Sequence, residues 1–256
     1  MIINNTFRFI FVHIPKSAGT TVTTILSKHS SYCDIELGGT ALGEAIQPLF
    51  QKRYGLQKHS TLSEIRAVVG EVLLKRYFSF AFVRNPYARA YSIYKYLSRA
   101  RKDSQVASLA DFDKFKDFAA FVNSDYFQSQ GYDRMMMPQS IWVARDNRSQ
   151  DIAVDYVGNV ERLGQCLDEL SALVGGGLER RKVGSPLPVL NRSSDAEHAV
   201  WSELANNPAV EEKIYRRYEL DFRQFGYPRW PKHRTRTRRS NPSCDRRASV
   251  PERSEN

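Results

Sequence analysis

Between Phe7 and Ile14 the chain reads FRFIFVHI, an almost unbroken apolar run rich in aromatic and β-branched residues. That pattern predicts a strand buried on both faces, as in a parallel sheet. A helix is expected from Thr20 to about Lys28. The polar, glycine-containing stretch ELGGTALGEA carries no assignable period. Thr61 and Glu64 have the spacing of a capping box, so STLSEIRAVVGEVLLKRY predicts a helix beginning near Thr61. YFSFAFV (Tyr77–Val83) reads as a second buried strand, and RNPYARAYSIYKYL turns out of it into a helix.

Further along, DFDKFKDFAAFV places Phe112, Phe115, Ala119 and Val122 on one helical face. VDYVGNV (Val154–Val160) predicts a third strand. ERLGQCLDELSALV continues as a helix through Leu163, Leu167, Leu170 and Val174, stopped by Gly175–Gly177. AVEEKIYRRYELDFRQFGY predicts one last helix with Val210, Ile214, Tyr218, Phe222 and Phe225 facing inward. Strands alternating with helices predict an α/β domain: three layers, a central parallel sheet flanked by helices, P-loop-like in plan. Residues 1–230 form this one domain, and residues 231–256 read as a basic tail without periodicity, of disordered composition.

Charge sharpens that division. The net charge is +10, and residues 231–256 hold eight Lys or Arg against three Asp or Glu, half of the excess. The body keeps a modest positive bias that suits anionic ligands. Cys33, Cys166 and Cys244 are odd in number and widely spaced. They make neither a disulfide framework nor a metal-type pair, which favours a reducing compartment and no metal. The first apolar run is too short to span a membrane and lacks a cleavage site. A cytoplasmic protein without a transmembrane segment is therefore expected.

The candidate chemistry starts in HIPKSAGTT. A strand, a small-residue loop and a helix make an anion site, because the first helical N–H groups lack partners and the helix dipole favours negative charge. Pro15, Lys16, Ser17, Ala18 and Gly19 form the loop, and Thr20 and Thr21 offer hydroxyls at the helix start. The order is not that of a Walker loop, whose lysine follows the second glycine. Here Lys16 precedes the only glycine. The plainer alternative is an ordinary strand-to-helix turn with a solvated lysine. Arg84 ends the second strand, and Ser92 falls on the helix after it. Ligands collect at the carboxyl ends of parallel strands, so Lys16 and Arg84 would face one crevice.

Together the two segments resemble a known family. HIPKSAGTT is similar to the 5′-phosphosulfate loop of sulfotransferases that use 3′-phosphoadenosine-5′-phosphosulfate (PAPS). FAFVRNPYARAYSIY is similar to their 3′-phosphate site. The likeness is to carbohydrate sulfotransferases of the heparan sulfate 2-O-sulfotransferase type, bacterial members included. It extends more weakly from Phe7 to Tyr227 through MPQSIWV, VDYVGNVERL and LPVLNRSS. The resemblance implies PAPS as donor, PAP as product, no metal, and a carbohydrate or glycoconjugate hydroxyl as acceptor. It gives Ser17, Gly19, Thr20 and Thr21 to the phosphosulfate, Arg84 and Ser92 to the 3′-phosphate, and Arg192 and Ser193 to a loop closing over the donor. Lys16 would stabilise the bridging oxygen as the sulfur–oxygen bond breaks.

The base is sought among five histidines. His13 lies in the first strand and reads as a packed residue; His233 lies in the tail. His59, in KHSTLSEIR, immediately precedes the predicted helix start, whose positive end disfavours imidazolium. The resemblance gives His59 the general-base role; were it not the base, His29 and His198 are the first candidates to mutate. Tyr87, Tyr91, Tyr94, Tyr132 and Trp142 could stack on sugar faces, although packing is the commoner role for such rings. Two other functions stay open on sequence alone. A kinase-like phosphotransferase would need the Walker lysine that is missing. A nucleic-acid-binding protein would act through HRTRTRR in the tail, but a charge run is more often a solvated segment, so a nucleic-acid partner is not expected. The acceptor's identity and the oligomeric state are not written in the sequence.

Overall fold

The computed structural model describes residues 1–103, 115–129, 134–146, 151–174 and 194–230. Its centre is a five-stranded sheet made of β1 (Ile2–Asn4), β2 (Phe9–Val12), β3 (Ile35–Glu36), β4 (Phe78–Val83) and β5 (Tyr156–Asn159), in the order β3-β1-β2-β4-β5. The strands β2, β4 and β5 run parallel, with Val12 beside Ala81 and Val83 beside Asn159. The expected parallel sheet is thus its centre and one edge. The other edge is antiparallel, β1 folding back on β2 and β3 pairing with β1.

The helices among the described residues are α1 (Gly19–Leu26), α2 (Ala41–Tyr54), α3 (Leu62–Arg76), α4 (Pro86–Asp103), α5 (Phe118–Asn123), α6 (Asp125–Gln128), α7 (Gln139–Val143), α8 (Leu163–Leu173), α9 (Ser194–Asn206), α10 (Pro208–Arg217) and α11 (Glu219–Gln224). Successive strand residues point to opposite faces, and both faces are covered. Phe9, Phe11, Phe80 and Phe82 pack with Val22 of α1 and Cys166 and Leu170 of α8. Ile10, Val12, Ala81 and Val83 pack with Leu62 and Ile65 of α3 and Trp142 and Val143 of α7. This explains the unbroken apolar run of β2: neither face meets water. A further cluster joins α4, α5, α9, α10 and α11 around Tyr87, Phe121, Phe127, Ile214 and Phe222.

Two helices depart from expectation. The face predicted from Phe112 to Val122 begins only at Phe118, because Asp117 caps the helix by accepting from the Ala120 N–H, and Phe115 lies before that cap. Phe118, Phe121 and Val122 are its buried residues rather than Ala119; Phe112 lies outside the described residues. The last predicted helix is two. It breaks at Tyr218, whose hydroxyl donates to the Met136 carbonyl, and Phe225 lies past the end of α11. The stop at Gly175–Gly177 falls outside the described residues. No described helix is long and apolar enough to cross a membrane.

Candidate active site

The carboxyl ends of β2 and β4 lie side by side, and each delivers one of the two candidate loops. After Val12 the chain passes through His13 and Ile14 into a turn over residues 15–18, and α1 begins at Gly19. Lys16 and Ala18 both take positive φ, 64° and 56°. A non-glycine residue there stores strain of order 1 kcal/mol, the kind that collects at functional sites. Alternating backbone of this sort turns successive N–H groups into one concavity, a nest for an anion. No side chain caps α1, and its first turn carries no acidic residue, so its amino end stays receptive to negative charge. Gly19 is required for a local reason: a Cβ there would sit 1.8 Å from Nε2 of His13.

The structure brings Lys16 to the face of α4. Its ammonium lies 4.3 Å from the centre of the Tyr96 ring. Ser92 is one helical turn before Tyr96, on the same side of α4. Ser92 and Arg84 are both half-buried. The loop after β2 therefore lies against the helix that follows β4. Ser17 is buried, and its hydroxyl donates to Oε1 of Gln139 at 2.9 Å. Thr21 is buried and Thr20 is exposed. Arg192 and Ser193 lie outside the described residues, as does Tyr132.

His59 stands beside this loop, two residues ahead of the cap of α3. Its Nδ1 is 2.8 Å from the carbonyl oxygen of His13. A carbonyl can only accept, so Nδ1 carries the proton and Nε2 keeps its lone pair. Burial pushes the pKa of His59 down to about 4; Lys58 and Arg134 push the same way, and the bond to His13 opposes them. Burial, rather than the helix end, is thus the main cause of the neutral imidazole. The capping box forms as predicted: Thr61 Oγ1 accepts from the Glu64 N–H, and Glu64 accepts from the Thr61 N–H. Glu64 also takes both terminal nitrogens of Arg134 at 2.8 Å, and Arg134 donates to the His59 carbonyl.

The ring of His13 packs edge-on to His59, centroids 4.6 Å apart, and Trp142 packs edge-on at 6.2 Å. Nδ1 of His13, Nε1 of Trp142 and Nε of Arg134 are buried without a partner among the described residues. A buried polar atom left unpaired costs about 1–3 kcal/mol, and such groups call for an explanation. Their gathering around one imidazole supports a site there. His29, the first substitute base, lies elsewhere: its carbonyl accepts from Asn4 and its ring meets Phe7, at the amino end of β2. His198 falls on α9. Tyr87 and Trp142 are fully buried, and Tyr91 and Tyr94 pack on Phe118, so these rings are packing residues.

Sequence reasoning passed over Gln139, Arg89 and Asp221. All three are buried polar residues. Arg89 donates to the carbonyls of Pro15, Met137 and Met135 at 3.1, 3.0 and 2.8 Å, tying the lysine loop to the segment before α7. The only signal was a charged or amide residue inside an otherwise apolar helical face.

Fold and site together define an α/β protein whose parallel strands end in a loop with two positive-φ residues and an uncapped helix start, with a neutral histidine alongside. The chain matches the model of the Sulfotransferase family over residues 1–228 and belongs to that family. It is accordingly a transferase, and its reaction class is sulfuryl transfer. No curated protein and no solved structure matches it significantly.

Proposed function

We propose that the protein moves the sulfuryl group of PAPS to a hydroxyl of a carbohydrate acceptor by in-line displacement, with His59 as general base. The observation that carries this reading is the His59–His13 hydrogen bond. It sets the tautomer of His59 and holds its ring against the backbone of the segment that leads from β2 to Lys16. Sulfuryl transfer, like phosphoryl transfer, asks the protein mainly for positioning and electrostatics. Nε2 of His59 accepts the acceptor's hydroxyl proton as that oxygen attacks sulfur. Lys16 and the backbone N–H groups of the loop take up the negative charge that grows on the departing phosphate oxygen. Arg84 and Ser92 hold the 3′-phosphate, and Gly19, Thr20 and Thr21 the 5′ end.

The donor fits the residues present. Two separated cationic groups, Lys16 and Arg84, stand at neighbouring strand ends, as a nucleotide with phosphates at both ends needs. The heparan sulfate 2-O-sulfotransferase type remains the acceptor expectation, a glycan hydroxyl, and Arg192 and Ser193 its closing loop.

Calorimetry tests the donor reading. PAP should bind, and should bind more tightly than adenosine 5′-phosphate. Arg84→Ala should erase most of that difference, because only PAP carries the 3′-phosphate. A charge-assisted contact contributes about 1.5–3 kcal/mol, or roughly ten- to a hundred-fold in affinity. Equal weakening of both nucleotides would remove Arg84 from the 3′-phosphate site.

A further inference from the structure

Gln139 is fully buried at the start of α7, yet its amide makes three hydrogen bonds. Its Oε1 accepts from the Ser17 hydroxyl at 2.9 Å and from the Arg84 N–H at 2.9 Å, and its Nε2 donates to the Arg84 carbonyl at 2.8 Å. One side chain thus grips the loop after β2 and the segment after β4 at once. It is itself held from behind: the N–H groups of Gln139 and Ser140 donate to the two carboxylate oxygens of buried Asp221 at 2.7 and 2.9 Å.

We propose that Gln139 is a positioning residue that locks the two anion loops into a single donor site, so that both ends of the nucleotide are held in one register. This rests on PAPS being the donor. The Ser17 hydroxyl has one proton, and it is given to Gln139. Ser17 therefore serves as a strut, and position 17 offers the anion its backbone N–H. Arg84 is held at its own peptide groups, upstream and downstream of Cα, which fixes where its guanidinium starts from. Neither loop can shift relative to the other without breaking a buried hydrogen bond, and a buried polar group left unsatisfied is strongly penalised. Arg89 fastens the same loop through Pro15 from the α4 side, so the brace approaches the loop from two directions.

The test compares two affinities in each variant: PAP, which spans both loops, and adenosine 5′-phosphate, which engages one. Their ratio measures how well the second loop is placed once the first is occupied. Gln139→Met, which keeps the length and removes the hydrogen bonds, should lower the ratio by about tenfold. A residue that merely supports the fold would weaken both ligands alike and leave the ratio unchanged. Gln139→Asn keeps the amide but cannot reach both loops, and should lower the ratio too; it serves if Gln139→Met does not fold. Ser17→Ala should lower it in the wild-type background and add little in a Gln139 variant, since both changes cut one link. If the wild-type protein does not prefer PAP, the donor reading fails and this inference with it. If wild type prefers PAP and both Gln139 variants keep the ratio, the inference alone is overturned.

Discussion

At the scale of single residues, the proposed chemistry turns on one tautomer. His59 keeps its proton on Nδ1 because the His13 carbonyl demands it, and stays neutral because burial holds its pKa at about 4. Activity should therefore be level from neutral pH down to about pH 5 and fall as pH drops through 4. A limb near the ordinary histidine value of 6.5 would contradict the burial argument. Stability should follow the same group. The folded pKa lies below the unfolded one, so the unfolded chain binds the extra proton first. The contribution is complete above pH 6.5 and is lost as pH falls toward 4; His13, also pushed well down by burial, acts in the same direction. On the proposed reading Lys16 would meet the donor before and during transfer, so Lys16→Ala should lower turnover and donor affinity together. Lys16, His59 and Arg84 were legible because each sits in a local motif beside a predicted element boundary. Gln139 was not, because its partner Ser17 is 122 residues away in sequence. No window on the chain shows such a pairing.

At the scale of elements, strand ends and helix starts place the chemistry. The capping box at Thr61 and Glu64 was readable from spacing, and it sets where the residue two before the cap, His59, can lie. Thr61→Ala should cost about 1 kcal/mol of stability and, by loosening that start, should lower turnover more than PAP affinity; unchanged turnover in a thermally destabilised variant would show that His59 does not depend on the cap. Gly19→Ala tests the other boundary. Its Cβ would collide with the His13 ring, which is buried and cannot swing into solvent. Overpacking of this kind costs about 1–3 kcal/mol, and both melting temperature and PAP affinity should fall. What the sequence concealed at this scale has local causes. The strands β1 and β3 are three and two residues long, too short to show a period. The break at Tyr218 is set by tertiary contacts: Tyr218 bonds Met136 and Asp221 bonds the start of α7, neither of which a helical wheel can register.

At the scale of the molecule, the parallel half of the sheet was predictable because continuous burial leaves a continuous apolar run, and its strands set the two loops next to each other. The family match ends at residue 228, close to the boundary that charge and composition drew at 230. Removal of residues 231–256 should therefore leave PAP affinity and sulfuryl transfer unchanged, while abolishing any salt-sensitive attraction to nucleic acid. Loss of transfer in the shortened protein would assign the basic segment to the enzyme rather than to its surroundings. The central claim, sulfuryl transfer from PAPS with His59 as base, is tested most directly by following label from ³⁵S-PAPS into a panel of glycans. The wild-type protein should label at least one glycan. His59→Ala, at the same PAP occupancy, should label it roughly 10²- to 10⁴-fold more slowly, the range expected for a lost general base. Near-normal labelling by His59→Ala, with PAP affinity intact, would contradict the account.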